Sequence, residues 1–205
     1  MELHFSEKQQ VVMDWWKDAS KYEAIFCDGA VRSGKTLAMG MSFFEWAMTV
    51  FDGKKFGICG KSIGTVRRNL LSVVRPHLEE KGMEWKEKRS DNLVTVSWKG
   101  KENEFYLFGG KDEASADYIQ GITLAGVLLD EAALMPRSFV EQACARCSVA
   151  GSRLWFNCNP AGPEHWLYKT WVLEAEQRNC LRLHFTMEDN PSLTPQIRQR
   201  YQRLY

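Results

Sequence analysis

The run Gly29-Ala30-Val31-Arg32-Ser33-Gly34-Lys35-Thr36 constrains this chain more than any other stretch, because G-x-x-x-x-G-K-[ST] binds phosphate only when a strand feeds it and a helix leaves it. Both flanks comply. Ala24-Ile25-Phe26-Cys27 is a short apolar run ending at Asp28-Gly29, as a buried strand entering a turn does. A long helix is expected over roughly 34 to 50. In such a loop the glycines let the backbone curl so that its N–H groups face phosphate oxygens, and the helix N-terminus adds partial positive charge. Lys35 would reach the β- and γ-phosphates, and Thr36 would ligate Mg²⁺. The similar Gly60-Lys61-Ser62 has Lys55 where the first glycine is needed, so no second cradle is expected there.

Around that loop, strand-like and helix-like patterns alternate. Ser6 is placed to cap a helix over 7 to 18, with Val11, Val12, Trp15 and Trp16 at helical spacing. Phe56 to Cys59 reads as a second strand and Ile63 to His77 as a second helix, interrupted near its end by Pro76. The runs 93 to 98 and 104 to 108, joined across Lys99-Gly100-Lys101, suggest a hairpin or neighbouring strands. Further strands are expected at 124 to 129, 154 to 156 and 181 to 185, with a helix from about 136 to 147. The pattern predicts an α/β fold with a mostly parallel central sheet covered by helices on both faces. The 205 residues, 44% of them hydrophobic, suffice for one core, assigned to 1–185 with 186–205 as a C-terminal extension or start of a linker.

No apolar run approaches the roughly 20 residues that span a bilayer, and the opening MELHFSEKQQ lacks a signal-peptide pattern, so a cytoplasmic protein without membrane contact is expected. The six cysteines are scattered, as reduced thiols are; Cys144 and Cys147 form a CxxC without a second ligand pair, so they read as helix-packing residues. With 27 basic and 26 acidic residues, any nucleic-acid contact must come from local patches.

A second motif is Gly126-Val127-Leu128-Leu129-Asp130-Glu131, an apolar strand ending in two carboxylates. Asp130 is placed to hold Mg²⁺, and Glu131 to polarise a water for in-line attack on the γ-phosphate, which favours hydrolysis over transfer to a metabolite. No N-K-x-D guanine signature occurs, so ATP is expected rather than GTP. A third strand, Leu154-Trp155-Phe156, runs into Asn157-Cys158-Asn159-Pro160, where an amide would touch the γ-phosphate or simply satisfy an Asn-Pro turn.

Taken in order, GAVRSGKT, then DYIQGITLAGVLLDEAALMP (117 to 136), LWFNCNPAGPEHWLY (154 to 168) and DNP (189 to 191), the chain resembles phage and prophage terminase large subunits over nearly its whole length. The resemblance implies a RecA-like P-loop ATPase with an extra strand and a catalytic glutamate, working in the host bacterial cytoplasm. It implies self-association into a ring, commonly of five subunits, with the portal protein and small terminase subunit as partners and double-stranded DNA as cargo. Gln9 is similar to the glutamine that reads adenine in this family, with Gln10 as alternate. Arg32 resembles the loop arginine that contacts the γ-phosphate, and Asn159, with Asn157 as alternate, matches the coupling residue. Where relatives carry a trans-acting arginine, Gln120 precedes Gly121 here, leaving Arg137 and Arg146 as weak candidates. Such proteins continue into a nuclease, for which the residues after 185 leave no room, so ATPase without nuclease activity is expected of this chain.

Sequence-independent DNA contacts are expected from Lys61, Arg67 and Arg68, while Arg198, Arg200 and Arg203 read as solvated. The rival readings are another helicase-like or DNA-repair ATPase and a small-molecule kinase. No segment suggests a kinase's arginine-bearing lid.

Overall fold

Strand β1 (Ala24–Gly29) is buried along its whole length, as a strand needs to be when other strands flank it and helices cover both its faces. The computed structural model describes residues 4–17, 21–159 and 162–204. The remaining strands are β2 (Lys55–Gly60), β3 (Glu84–Lys88), β4 (Leu93–Trp98), β5 (Lys101–Gly109), β6 (Gly126–Asp130), β7 (Arg153–Asn157) and β8 (Cys180–Phe185). They form one sheet in the order β3-β4-β5-β2-β6-β7-β1-β8. Pairing is parallel from β5 through β8, and antiparallel where β3, β4 and β5 meet. The mostly parallel α/β sheet expected from the sequence is therefore present, and β7 lies between the strand that feeds the phosphate loop and the strand that ends in Asp130.

Helix α2 (Lys35–Val50) lies against one face with few polar residues on any side, so it is buried nearly all round. With α1 (Glu7–Asp14) and α4 (Ser72–Glu80) it covers Ile25, Phe56, Ile58 and Trp155. The Trp155 ring packs 4.6 Å from Trp46, 4.7 Å from Trp15 and 5.2 Å from Phe43, so the first tryptophan of the Trp15-Trp16 pair serves the core. On the other face α5 (Arg137–Ala145) and a π-helical turn, Tyr168–Val172, cover Phe26, Leu129 and Phe156. Successive residues of β7 thus serve opposite cores, as strand alternation requires.

Several expectations shift. Helix α1 ends at Asp14 instead of reaching 18, and Asp18 lies outside the described residues, as does Pro160 of the Asn-Pro turn. Beyond α3 (Ile63–Thr65) the chain makes a π-helical turn, Val66–Leu71, and α4 runs through Pro76 to Glu80. Pro76 lies inside α4, so the interruption expected near it does not occur. Strand β3 has no apolar period because it is an exposed edge paired only with β4. Among the described residues no helix is long and apolar enough to cross a membrane.

Candidate functional site

Parallel pairing sets the carboxyl ends of β1, β6 and β7 side by side: Cys27 pairs with Asn157, and Asp130 with Asn157. In open α/β sheets ligands bind outside those ends. A cleft of about 580 Å³ opens there, lined by Val31 to Leu37, Asp130, Glu131, Asn157, Cys158, Asn159 and Asn190, and by Arg68, Asn69 and Val73 from the π turn and α4.

The loop between β1 and α2 is folded tightly. Gly29 has φ +122°, and an added Cβ would sit 2.0 Å from the Phe185 carbonyl oxygen, so only glycine lets the loop leave β1 against β8. Gly34 has φ +80° and lies against the Gln9 amide. Lys35 is buried and folded back, its Nζ donating to the carbonyls of Gly29 (3.1 Å) and Ala30 (2.7 Å), to Ser33 Oγ (3.1 Å) and to Asn159 Oδ1 (3.3 Å). Burial lowers the Lys35 ammonium pKa from its ordinary value, because those oxygens replace water only in part.

Asn157 joins the two sequence motifs. Its Nδ2 donates to Thr36 Oγ1 at 3.0 Å and to Asp130 Oδ1 at 2.6 Å, while its buried Oδ1 has no partner among the described residues. A hydroxyl, a carboxylate and an uncommitted amide oxygen form a hard oxygen set of the kind Mg²⁺ takes, so Thr36, Asp130 and Asn157 fit that ion. Among the described residues no group of three or more His, Cys, Asp or Glu side chains is placed to hold a metal ion. Burial pushes the Asp130 carboxyl up to about 6, with the Glu131 charge adding to the rise and the Asn157 amide opposing it.

Glu131 follows β6 with φ 55° and ψ 43°, a left-handed conformation that costs an L-residue roughly 1–2 kcal/mol. It is half-buried on the cleft, where such local strain is often kept for a purpose. Arg32 is also left-handed, at φ 63°. Its guanidinium lies 5.7 Å from the Tyr201 ring of α6 (Pro195–Leu204), and its carbonyl accepts from Asn190 Nδ2 at 2.7 Å.

Of the two glutamines, Gln9 faces the loop and Gln10 turns outward to Asp14. Gln9 closes a capping box with Ser6, accepting from the Ser6 N–H at 3.0 Å, and points Nε2 at the Ser33 carbonyl at 3.5 Å. One end of its amide thus caps α1 and the other braces the loop. The DNA-contact candidates separate: Lys61 is exposed, Arg67 is paired with Glu87, and Arg68 is on the cleft. Arg137 pairs with Glu141, Arg146 caps α5, and neither lines the cleft. Arg198 is not solvated as expected: it reaches Glu188 and the Asn190 carbonyl and helps hold the segment over the loop. Burial raises the Cys144 thiol to about 12 and lifts that of Cys147 as well, as in packed, unreactive cysteines.

Asn190 and Arg68 were not singled out for the cleft by sequence reasoning. Asn190 stands far along the chain from Thr36, in the DNP segment, and nothing local marks it as a neighbour of the loop.

A family model described as terminase large subunit, T4likevirus-type, N-terminal, matches residues 26–205. No curated protein matches the chain. A solved large terminase from a thermophilic bacteriophage is similar at TM-score 0.95 and 52% identity, over 99% of this chain and 51% of that one. The large terminase of the same phage in complex with ATP-gamma-S matches at TM-score 0.92 and 50% identity, over 98% of this chain and 50% of that one. The Thermus phage P74-26 large terminase ATPase domain shares the fold at TM-score 0.71 and 19% identity, over 100% of this chain and 88% of that one. The chain spans about half the length of the thermophilic-phage terminases it matches.

Proposed function

The chain belongs to the terminase large-subunit family, matching its N-terminal part over residues 26–205, and from that premise we propose that it is the ATP-hydrolysing motor domain that drives double-stranded DNA into a procapsid. The observation that carries this reading is the Asn157 bridge, which brings Thr36 of the loop and Asp130 of β6 into one cleft beside Glu131. The ATP-gamma-S complex of the thermophilic-phage large terminase supports a nucleotide as the occupant.

In this reading the triphosphate lies along Gly29 to Thr36, whose N–H groups and helix N-terminus receive it. Lys35 exchanges its carbonyl partners for β- and γ-phosphate oxygens, which restores the charge balance that burial disturbs. Thr36 and Asp130 would hold Mg²⁺, which when bound supplies charge neutralisation across the β- and γ-phosphates. Glu131 accepts a proton from the attacking water, and Arg32, released from Tyr201, donates to the γ-phosphate as charge develops. Asn159 already touches Lys35, so it registers when the γ-phosphate arrives or leaves. Gln9 reads adenine by exchanging one of its two internal hydrogen bonds for the base. The ring of commonly five subunits, the portal protein and small terminase subunit, and the host cytoplasm complete the proposal from the family.

Glu131→Gln tests it. Turnover should fall about 10²- to 10⁴-fold while ATP still binds, because the base is lost and the cradle is not. Hydrolysis at the parent rate would refute the assignment. For the motor, the full-length protein carrying the same change should fail to package DNA into procapsids; packaging by it would sink the translocation reading.

A further inference from the structure

Two consecutive arginines in the helix after β2 are sent to different places. Arg67 Nε donates to Glu87 Oε1 at 2.6 Å and its Nη2 to Asn92 Oδ1 at 3.1 Å, which ties it to the antiparallel edge of the sheet. Arg68 lines the cleft with the phosphate loop, Asp130 and Glu131. Val66, Leu70 and Leu71 of the π turn are buried, so the residues between them face away from the core, and two consecutive side chains on a helical turn point to different neighbours. Single π turns of this kind often accompany functional sites.

The mounting is rigid. A Cβ on Gly40 of α2 would come within 2.5 Å of Val74 Cγ2 and 3.0 Å of Leu70 Cδ1, so the π turn and α4 pack directly on the helix that begins at Lys35. The backbone that carries Arg68 is therefore held beside the loop, with the side chain exposed. Its guanidinium has no hydrogen-bond or ion-pair partner among the described residues, whereas Arg32 rests against Tyr201. An exposed, unpaired guanidinium carried on a packed backbone at the rim of a cleft that already holds two carboxylates is suited to an anionic ligand.

We propose that Arg68 contacts the γ-phosphate of the bound nucleotide in cis and stabilises the transferring phosphoryl group. This rests on the ATPase reading of the cleft. In the step, the oxygen of water forms a bond to the γ-phosphorus as the bond to the bridging oxygen of ADP breaks. The water proton goes to Glu131, and the electron pair of the broken bond stays on the β-phosphate oxygen. Arg68 donates N–H groups to non-bridging γ-oxygens and leaves the cycle unchanged.

With Arg68→Ala, kcat should fall about 10²-fold, the KM for ATP should stay within about threefold, and ADP affinity should be kept. Binding of ADP with aluminium fluoride, which mimics the transferring group, should weaken by the same factor as kcat. Arg68→Lys should restore only part of the rate, since an ammonium cannot span two oxygens. Parent turnover with undiminished aluminium-fluoride binding overturns the proposal. So does loss of duplex-DNA binding with turnover retained, which would make Arg68 a backbone contact. A parallel fall in ADP affinity and thermal stability in both variants overturns it too, as a structural role. Lys35→Ala and Glu131→Gln run alongside: parent turnover in those sinks the ATPase reading itself, whereas their failure with Arg68→Ala fully active sinks only Arg68.

Discussion

Asp130 sits where burial and chemistry oppose each other, and replacing it by asparagine should make the ligand-free protein more stable. The carboxyl titrates near 3.8 in an unfolded chain and at about 6 in the fold, raised first by burial and then by Glu131. A difference of roughly 2.2 units (6 − 3.8) corresponds to about 3 kcal/mol, at 1.36 kcal/mol per unit. The sign follows from which form the fold prefers. Because the folded pKa is the higher one, the neutral acid is favoured, and its contribution is complete below pH 3.8 and lost as pH rises through 6. Above that, the fold carries a buried carboxylate at a cost of about 3 kcal/mol. The introduced amide would keep an oxygen to accept from Asn157 without the charge. In EDTA and without nucleotide, Asp130→Asn should unfold at higher urea near pH 8, by up to about 3 kcal/mol or roughly 6–12 °C in Tm. The gain should shrink to about 1 kcal/mol near pH 4.5, where the folded parent already holds the proton. The variant should also lose Mg²⁺-dependent nucleotide binding. If Asp130→Asn is less stable than the parent at pH 8, or if the difference does not change between the two pH values, the carboxylate is not strained by burial and the argument fails.

Lys35→Ala should abolish stabilisation by nucleotide: ATP at about 100 times its Kd should raise the parent by roughly 2.7 kcal/mol and the variant by none. Calorimetry that returns equal affinities would remove the loop as the phosphate cradle. Gly29→Ala forces a side chain to within 2.0 Å of the Phe185 carbonyl at φ +122°, so it should cost roughly 2–4 kcal/mol. A urea midpoint within about 0.5 kcal/mol of the parent's would show that β8 and the loop give way easily.

Much of this was legible in order along the chain because the signals are local. A glycine spacing between a strand and a helix, or an apolar run ending in two acids, is complete within ten residues, and the strand, helix and carboxylates it announces are where expected. Ser6 capping α1 is of the same kind. Edge strand β3 gave no such signal, since Trp85, which packs on the core beside Phe44, is its single apolar residue among four charged ones.

What the sequence by itself determined is therefore the tight loop between β1 and α2, the carboxylate pair at the end of β6 and the parallel α/β class, each encoded by neighbours in the chain. Only the tertiary structure decided how those pieces meet. Asn157 reaches both Thr36 and Asp130 because β7 lies between β1 and β6, an order that no single run of residues encodes. Arg68 joins the cleft because the turn that carries it packs on α2 at Gly40, and Asn190 because β8 returns beside β1. Long-range packing places groups whose spacing in sequence carries no period, and for that reason no reading along the chain finds them.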